Sequence, residues 1–373
     1  MSSGVRFNKK NRPEFYKELN IRVNRYFKER NLSKKANLNM KLKTAFMVSL
    51  YFIPLFLILT QTFNTFWSVF GAYMLMSLGM SGIGLSIMHD ANHGAYSTKK
   101  TVNQALGYLI NFIGGYHITW KIQHNVLHHS FTNIHDHDED LDQNLMRFSP
   151  NQKRKSFFKY QAYYCTLLYG MLSIFRFAVK DFQQLLRYNQ MGLLKEQKLS
   201  FRARLAEIIF VKSFYLVITL ILPIMILPIP GWQVFLAFFV MHYMSGLIFA
   251  YVFQPAHIIG EVDFYKADAE GSVENNWAIH EMKTTANFAN GSTFFAWFIG
   301  GLNHQVEHHL FPHICHVHYK DVSKIVKATA EQYDVPYHSH KTFLDAIKSH
   351  LSLMNQLGTG EYDRKLEAGQ LSM

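Results

Sequence analysis

Two long stretches of the chain contain no charged side chain, and they limit the folds that the sequence can adopt. Residues 44–88 and residues 213–260 lack Asp, Glu, Lys and Arg throughout. A membrane-spanning helix needs roughly 20 apolar residues, so each stretch is long enough for two spans and a turn. Turn-forming residues occur within both stretches, at 61–64 and at 228–231. The sequence therefore predicts two transmembrane hairpins, or four spans, in an all-α integral membrane protein.

Basic residues before the first uncharged stretch predict how the chain is oriented. Residues 1–43 contain 13 Lys and Arg against three acids. By the positive-inside rule this arm is cytoplasmic, and two hairpins return the chain to the same side each time. We therefore expect both termini and the histidine-rich segments described below to be cytoplasmic. The predicted segments are a basic arm 1–43, hairpins 44–88 and 206–260, and helical cytoplasmic segments 89–205 and 261–373.

Shorter apolar segments are expected to lie on or near the membrane. Four residues of the basic arm recur every fourth position and predict an amphipathic helix that could lie on the membrane. They are Phe15, Leu19, Val23 and Phe27. The apolar segment 160–179 is expected to be interfacial or packed on the spans.

The distribution of charge excludes a soluble enzyme, a disordered chain and a simple nucleic-acid binder. Only 17% of the residues are charged, and the net charge is +12. This basic excess suits the anionic surface of a membrane, so no nucleic-acid partner is predicted. Two cysteines cannot form a disulfide framework, which favours a reducing compartment.

Twenty histidines are the most unusual part of the composition, and several of them occur at metal-binding spacing. The segment HDANH places His89 and His93 four residues apart, on one face of a helix. The segment HNVLHH repeats this spacing with His124 and His128. It also adds His129, about 100° further round the helix, where a second metal ion could bind.

A third cluster, QVEHH, contains the adjacent pair His308 and His309 with Gln305 one turn earlier. The predicted topology brings all three clusters to one side of the membrane, where they could build a site for two metal ions. Histidine ligands without paired cysteines favour iron or copper over a structural zinc ion. The HExxH pattern of zinc proteases is absent from the sequence. An isolated pair of histidines is more often structural, but three clusters together predict a metal centre.

Other polar residues near the clusters differ in predicted depth and role. His257 lies at the cytoplasmic end of the last span and can join the metal centre. His242 lies about 22 Å deeper along a helix, so we expect it to pack or to form hydrogen bonds. His280 is cytoplasmic and is either an additional ligand or a supporting group. Asp90 and Glu307 lie inside the clusters and could fix the tautomers of ligating histidines.

The acidic run HDHDED, residues 135–140, has the composition of a metal site. A run of like charges is more often a solvated loop, and that is the interpretation we favour. The alternative is that its carboxylates orient ligating histidines from outside.

In order along the chain, HDANHG, HNVLHHSFTNIHDHDED and NHQVEHHLFP resemble the three histidine boxes of the membrane fatty acid desaturases. The resemblance covers roughly residues 45–344. Gln at the start of the third box is similar to the front-end branch, which desaturates between an existing double bond and the carboxyl end. The sequence around the second and third boxes is similar to that of bacterial acyl-CoA and acyl-lipid desaturases.

The resemblance implies a centre of two iron ions held almost entirely by histidine. The implied ligands are His89, His93, His124, His128, His129, His257, Gln305, His308 and His309. It also implies an O2-dependent oxidoreductase that removes two hydrogens from an acyl-CoA or acyl-lipid, forms a cis double bond and reduces O2 to water. The HPGG haem motif of many front-end enzymes does not occur. Electrons are therefore expected from a separate ferredoxin or cytochrome b5.

Two other functions fit parts of the sequence. A lipid hydroxylase of the same histidine-rich superfamily would insert oxygen at a related site, although the QVEHHLFP ending favours desaturation. A metal transporter would need polar groups along its spans, and the predicted hairpins contain no acid or base besides His242 and His257. Similarity to bacterial members favours the bacterial inner membrane over the endoplasmic reticulum.

Overall fold

The computed structural model describes residues 5–141 and 144–370, and most of these residues are helical. Five helices are long and apolar enough to cross a membrane. They are Leu38–Leu59, Phe66–Asn92, Ser156–Gln190, Phe201–Ile226 and Gly231–His257. The helical class predicted from the sequence is therefore confirmed, and the apolar helices are those of a membrane protein.

Four of the five apolar helices match the predicted spans. The chain breaks between them at 60–65 and at 227–230, where turns were predicted. The fifth helix, Ser156–Gln190, contains the apolar segment that the sequence assigned to the membrane interface. Its length and composition allow it to cross a membrane as well, so the number of spans stays a prediction.

The described residues belong to two compact units. The first unit contains residues 1–35, 123–166 and 251–373, and the second contains residues 36–122 and 167–250. The long helices Ser156–Gln190 and Gly231–His257 each contribute residues to both units.

Close helix packing shapes the second unit. Asn37 caps the helix Leu38–Leu59 by accepting a hydrogen bond from a backbone amide. The following helix packs against it at Gly79, where a Cβ atom would lie only 2.6 Å from the backbone nitrogen of Tyr51. A larger residue would push the two helices apart. Shorter helices complete this unit, and they are Lys100–Gly107, Tyr108–Ile113, His117–Lys121 and Leu193–Glu196.

A buried ion pair lies among the apolar helices of the second unit. The helix Phe201–Ile226 begins well before the uncharged stretch, so Lys212 lies near its middle. The ammonium of Lys212 lies 2.5 Å from the Asp181 carboxylate and donates to the carbonyl of Gly114 at 2.7 Å. The prediction of hairpins without an acid or base besides His242 and His257 is therefore wrong. A charge is tolerated in this helix because it is buried and paired.

The first unit carries most of the predicted metal ligands on short elements. Its helical segments are Pro13–Glu29, Ile122–His128, His129–Phe131, Ser156–Tyr160, Trp277–Thr284, Thr293–Phe298, Gln305–Leu310, His316–His318, Tyr319–Gln332, Phe343–Thr359 and Glu361–Glu367. Two pairs of parallel strands fix the intervening loops. Arg6–Phe7 pairs with Ser272–Val273, and Ala286–Phe288 pairs with His338–His340.

The predicted amphipathic helix of the N-terminal arm is present as Pro13–Glu29. The four apolar residues of the predicted face are all buried, and they are Phe15, Leu19, Val23 and Phe27. They share one core with Val322 and Val326 of the helix Tyr319–Gln332. The prediction that this apolar face could lie on the membrane is therefore wrong, because the protein covers it.

Candidate metal centre

The second histidine box lies on a widened helical turn. Residues Ile122–His128 form a π-helix, in which backbone hydrogen bonds join residues five apart, and His129–Phe131 continue it as an α-helix. On a regular α-helix, residues five apart point in different directions. In the wider turn, the Nε2 atoms of His124 and His129 approach to 3.2 Å. The local backbone therefore lets three histidines of one box face a common space.

The third box lies on the short helix Gln305–Leu310, whose residues are all buried. The Nε2 atom of His308 lies 2.9 Å from the Nε2 atom of His129 in the second box. The other ring nitrogen of His308, Nδ1, lies 3.3 Å from the hydroxyl of Tyr319. The Nε2 nitrogens of three histidines, from two separate segments of the chain, therefore converge within the first unit.

A second group of histidines adjoins the first. One ring nitrogen from each of His128, His257 and His309 lies within 4.8 Å of the others. The same limit holds for His129, His308 and His309. Six predicted ligands thus form one buried cluster in the first unit, and they are His124, His128, His129, His257, His308 and His309.

His257 is oriented as a ligating histidine would be. It is the last residue of the helix Gly231–His257, and its Nδ1 lies 3.2 Å from the carbonyl oxygen of Thr284. A carbonyl only accepts, so Nδ1 carries the proton and Nε2 has a lone pair. This Nε2 is buried, and no described residue gives it a hydrogen bond. A metal ion would fit such a nitrogen.

Buried carboxylates contact two of these histidines at Nδ1, the ring nitrogen on the side away from Nε2. Asp138 lies 3.2 Å from Nδ1 of His128, and Glu281 lies 2.7 Å from Nδ1 of His309. Each carboxylate can accept the Nδ1 proton, which makes Nε2 the nitrogen available to a metal. Burial is the largest single influence on His128 and lowers its pKa, but the charge and hydrogen bond of Asp138 and the charges of Asp140 and Glu281 together raise that pKa to about 9. Burial raises the pKa of Glu281 to about 8.

The acidic run 135–140 differs from the solvated loop that we predicted. Asp138 is buried, and besides contacting His128 it accepts a hydrogen bond from the backbone of Asn133 at 2.9 Å. Asp136, in contrast, is exposed. The solvated-loop prediction is therefore wrong at Asp138, and its contacts match the alternative in which an acid orients a histidine.

Glu281 is a residue of this site that no sequence pattern predicted. It lies on the helix Trp277–Thr284, where the side chain of Asn276 caps the first turn. The signal available in the sequence was a carboxylate beside His280, in a run (275–282) with no other charged residue. Nothing in that local pattern indicates that Glu281 meets the third histidine box.

Two predicted supporting residues have different partners from those expected. The Nε2 of His280 lies 2.6 Å from the carbonyl oxygen of Thr132, outside the groups of described residues that could hold a metal ion. Glu307 accepts hydrogen bonds from Asn287 at 2.9 Å and from Tyr337 at 3.0 Å. Glu307 therefore stabilises the surroundings of the third box, and its bonds go to residues other than the six histidines.

The first box lies in the second unit. A π-helical segment, Ile83–Ile87, precedes it, and the ring centroids of His89 and His93 are 4.9 Å apart. Both rings meet Trp120 edge to face, and Asp90 is buried. The two histidines thus form the predicted pair on one helix face. Their place in one centre with the other six histidines stays a prediction, as does the role of Asp90.

Gln305 occupies the variable position of the third box. Its side chain is buried, and its amide nitrogen has no hydrogen-bond partner among the described residues. A buried amide without a partner is costly, so an additional group at this position would stabilise it. This environment is compatible with a ligand nearby.

The chemistry of the cluster suits a transition metal. Six imidazoles converge from three parts of the chain, each is almost entirely buried, and the partners of three of them leave Nε2 available. Nitrogen ligands of this type bind iron, copper or zinc, whereas calcium and magnesium prefer oxygen. Two adjoining groups of three nitrogens provide enough ligands for two ions.

Comparisons with known proteins show which family this chain resembles. The family model for fatty acid desaturase matches residues 64–341. The chain is 32% identical over 363 residues to the sn-1 linoleoyl-lipid 6-desaturase of Arthrospira platensis. The aligned residues are 95% of this chain and 95% of that protein. The protein of the same name from Synechocystis sp. is 32% identical over 349 residues, or 92% of this chain and 95% of the relative.

A relative from a moss has the same level of similarity. The acyl-lipid (8-3)-desaturase of Physcomitrium patens is 32% identical over 357 residues, which are 94% of this chain and 72% of that protein. The match to the family model and to these relatives extends over most of the chain. The chain therefore belongs to the fatty acid desaturase family and is an oxidoreductase that desaturates fatty acyl chains.

Proposed function

We propose that this desaturase inserts a cis double bond on the carboxyl side of a double bond already present in the acyl chain. The observation that carries the proposal is the convergence of six buried histidines from boxes two and three and from His257. Relatives named linoleoyl-lipid 6-desaturase and acyl-lipid (8-3)-desaturase support this position of attack. Their names also favour an acyl chain attached to a lipid over one attached to CoA.

The proposed cofactor is a pair of iron ions. Their ligands would be His89, His93, His124, His128, His129, His257, Gln305, His308 and His309. When bound, iron would supply the activation of O2 and the removal of hydrogen from an unactivated methylene, which acid–base groups cannot perform. The two hydrogens lost from the chain and two electrons from a donor, with two protons, reduce one O2 to two waters.

The side chains of the site would orient the ligands and keep water out. Asp138, Glu281 and the carbonyl of Thr284 each hold one Nδ1–H, so the rings cannot turn their Nε2 atoms away. Because the six histidines are buried, bulk water has little access to them. A dry site protects a reactive centre from side reactions.

We propose a multi-pass protein of the bacterial inner membrane, with four spans and with both termini and all histidine boxes on the cytoplasmic side. The basic arm supports this orientation, since Lys and Arg favour the cytoplasmic side. Cytoplasmic boxes would be accessible to a soluble or membrane-bound electron donor. The donor is proposed to be a separate ferredoxin or cytochrome b5.

The proposal is tested by locating double bonds in the fatty acids of an aerobic host that expresses the protein. The host must supply linoleoyl lipids and a ferredoxin or cytochrome b5 system, and His128→Ala is the matched control. We expect a new double bond on the carboxyl side of an existing one, detected by mass spectrometry and absent from the control.

Other products of the same experiment would change the conclusion. A new double bond only on the methyl side would contradict the proposed position of attack. A hydroxylated chain would favour the related lipid hydroxylase. If neither product forms although the purified protein contains iron and accepts electrons, the proposed substrate is wrong.

A further inference from the structure

A buried carboxylate outside the three histidine boxes contacts the third box. Glu281 is completely buried on the helix Trp277–Thr284. Its Oε2 atom lies 2.7 Å from Nδ1 of His309 and 3.0 Å from the hydroxyl of Thr132. This hydrogen bond is shorter than the contacts of Asp138 with His128, which measure 3.2 and 3.3 Å.

The neighbourhood of Glu281 connects several elements of the site. Thr132 donates its hydroxyl proton to the backbone carbonyl of His128 at 2.7 Å and also contacts Glu281. Trp277, on the same helix as Glu281, donates to the carbonyl of His129 at 3.1 Å. The helix of Glu281 is thus bound to the backbone of the second box and, through Glu281, to the ring of His309 in the third.

The burial of Glu281 is costly without a compensating charge. A carboxylate removed from water loses far more solvation free energy than a few neutral hydrogen bonds return. Its Oε1 atom has no hydrogen-bond partner among the described residues. A cluster of imidazoles that holds metal cations would supply the positive charge that makes an ionised Glu281 favourable at this position.

We propose that Glu281 is a positioning residue for the metal centre. It accepts the Nδ1 proton of His309 and thereby fixes the tautomer in which Nε2 faces His128 and His257. This inference rests on the proposed function, because it assumes that the six histidines bind metal. Glu281 lies outside all three boxes, and through it the helix Trp277–Thr284 would become part of the metal centre's support.

The three histidines of one group then have three different acceptors. His128 has the Asp138 carboxylate at 3.2 Å, and His257 has a backbone carbonyl at 3.2 Å. His309 has the closer Glu281 carboxylate. A charged acceptor strengthens the hydrogen bond and makes the imidazole a better donor to the metal. Loss of Glu281 is therefore expected to weaken metal binding through His309 in particular.

The test measures metal binding by the full-length protein in detergent. Fe(II) affinity is determined under anaerobic conditions by competition with a chelator, for wild type, Glu281→Gln and Glu281→Ala. Gln keeps the size of the side chain and an acceptor oxygen but removes the charge. Mutation of such supporting residues costs about 10–100-fold in metal affinity, so we expect losses near the lower value for Gln and near the upper value for Ala.

Glu307→Gln is the matched control for removal of a buried carboxylate. Glu307 is as buried as Glu281, but its hydrogen bonds go to Asn287 and Tyr337. We expect Glu307→Gln to bind Fe(II) more tightly than Glu281→Gln does. Thermal unfolding of all variants without metal identifies any variant whose fold is lost.

Mössbauer spectra of the 57Fe-loaded proteins provide a signature that a purely structural role would not change. If Glu281 positions His309, the Glu281→Gln spectrum should show an altered quadrupole splitting for the iron that His309 binds, while the other iron keeps its wild-type signal. Unchanged affinity and an unchanged spectrum in folded Glu281→Ala would contradict the inference alone. Failure of wild type itself to bind Fe(II) would contradict the proposed metal centre and the inference with it.

Discussion

Two buried histidines on one helix have opposite hydrogen-bonding environments. His242 and His257 both belong to Gly231–His257. Both ring nitrogens of His242 have partners, because Nδ1 lies 2.7 Å from Ser173 and Nε2 lies 2.8 Å from Tyr215. His257 bonds through Nδ1, and its buried Nε2 has no hydrogen-bond partner in the part of the chain that the structure describes. A histidine whose two nitrogens are satisfied is structural, whereas His257 combines a nitrogen without a hydrogen-bond partner and two histidine neighbours, His128 and His309, close enough to share a metal ion.

The same contrast holds for the polar groups around these histidines. In the second unit, Asp181 neutralises Lys212 and also accepts a hydrogen bond from Thr119 at 2.7 Å. Arg176 also pairs with Asp181, at 3.2 Å, so these charges have partners among the protein's own side chains. In the first unit, Glu281 keeps an unpartnered oxygen beside a group of imidazoles. A bound cation in the first unit would compensate for this buried carboxylate.

The largest effect is expected from the replacement of His257, the histidine whose Nε2 has no hydrogen-bond partner among the described residues. His257→Ala removes a proposed ligand, and because loss of a mere supporting group already costs about 10–100-fold, product formation should fall more than about 100-fold. Fatty acid analysis of the expressing host and iron content of the purified protein measure the effect. A folded His257→Ala protein with normal iron content would show that the free nitrogen is not a ligand.

Metal removal should destabilise the region of His257 and leave that of His242 unchanged. A ligand present at 1,000 times its dissociation constant stabilises a folded protein by about 4 kcal/mol. Chelation should therefore lower the thermal stability by an amount of this order, and restored Fe(II) should reverse the loss. Hydrogen exchange locates the effect. We expect faster exchange around Thr284 but not around Tyr215. Equal changes at both would contradict the proposal that metal stabilises the region of His257 and not that of His242.

Charge pattern and residue spacing were sufficient to predict four of the five long apolar helices and to locate the histidine boxes. Charges are excluded from spans for reasons that act locally, and ligands four residues apart share a helix face. The roles of Asp138 and Glu281 depend instead on contacts between distant segments. Glu281 lies 28 residues before His309, and no periodic pattern relates them. The sequence therefore indicated the ligands more clearly than the groups that orient them.

Three wrong predictions share this cause. The face of the helix Pro13–Glu29 was assigned to the membrane because its partner, the helix Tyr319–Gln332, comes 290 residues later. The hairpins were predicted to hold no acid or base besides His242 and His257, because the pairing of Lys212 with Asp181 on another helix leaves no local pattern. Asp138 was assigned to a solvated loop because its burial depends on tertiary packing. In each case the local sequence pattern was read correctly, but the distant segment that packs against it could not be identified from the sequence.

A smaller effect is expected from the replacement of His242, whose two ring nitrogens both have hydrogen-bond partners. His242→Leu leaves the hydroxyls of Ser173 and Tyr215 without their partner, and an unsatisfied buried group costs about 1–3 kcal/mol. The variant should unfold at a lower temperature but retain iron and the wild-type product. Thermal unfolding and iron analysis of the same sample separate the two outcomes. Loss of iron at full stability would move His242 into the group of ligands.

The smallest effect is expected at Gln305, whose amide nitrogen is buried without a partner but whose side chain is not an imidazole. In Gln305→His, an imidazole nitrogen replaces an amide as the proposed ligand, and both are neutral donors that iron accepts. Iron content should stay at the wild-type level, and activity should fall by less than about tenfold, the lower limit for loss of a supporting group. Iron analysis and the yield of the new double bond test this together. Loss of iron in folded Gln305→His would mean that the position is shaped for the amide itself, whose carbonyl oxygen is the atom that can bind a metal ion.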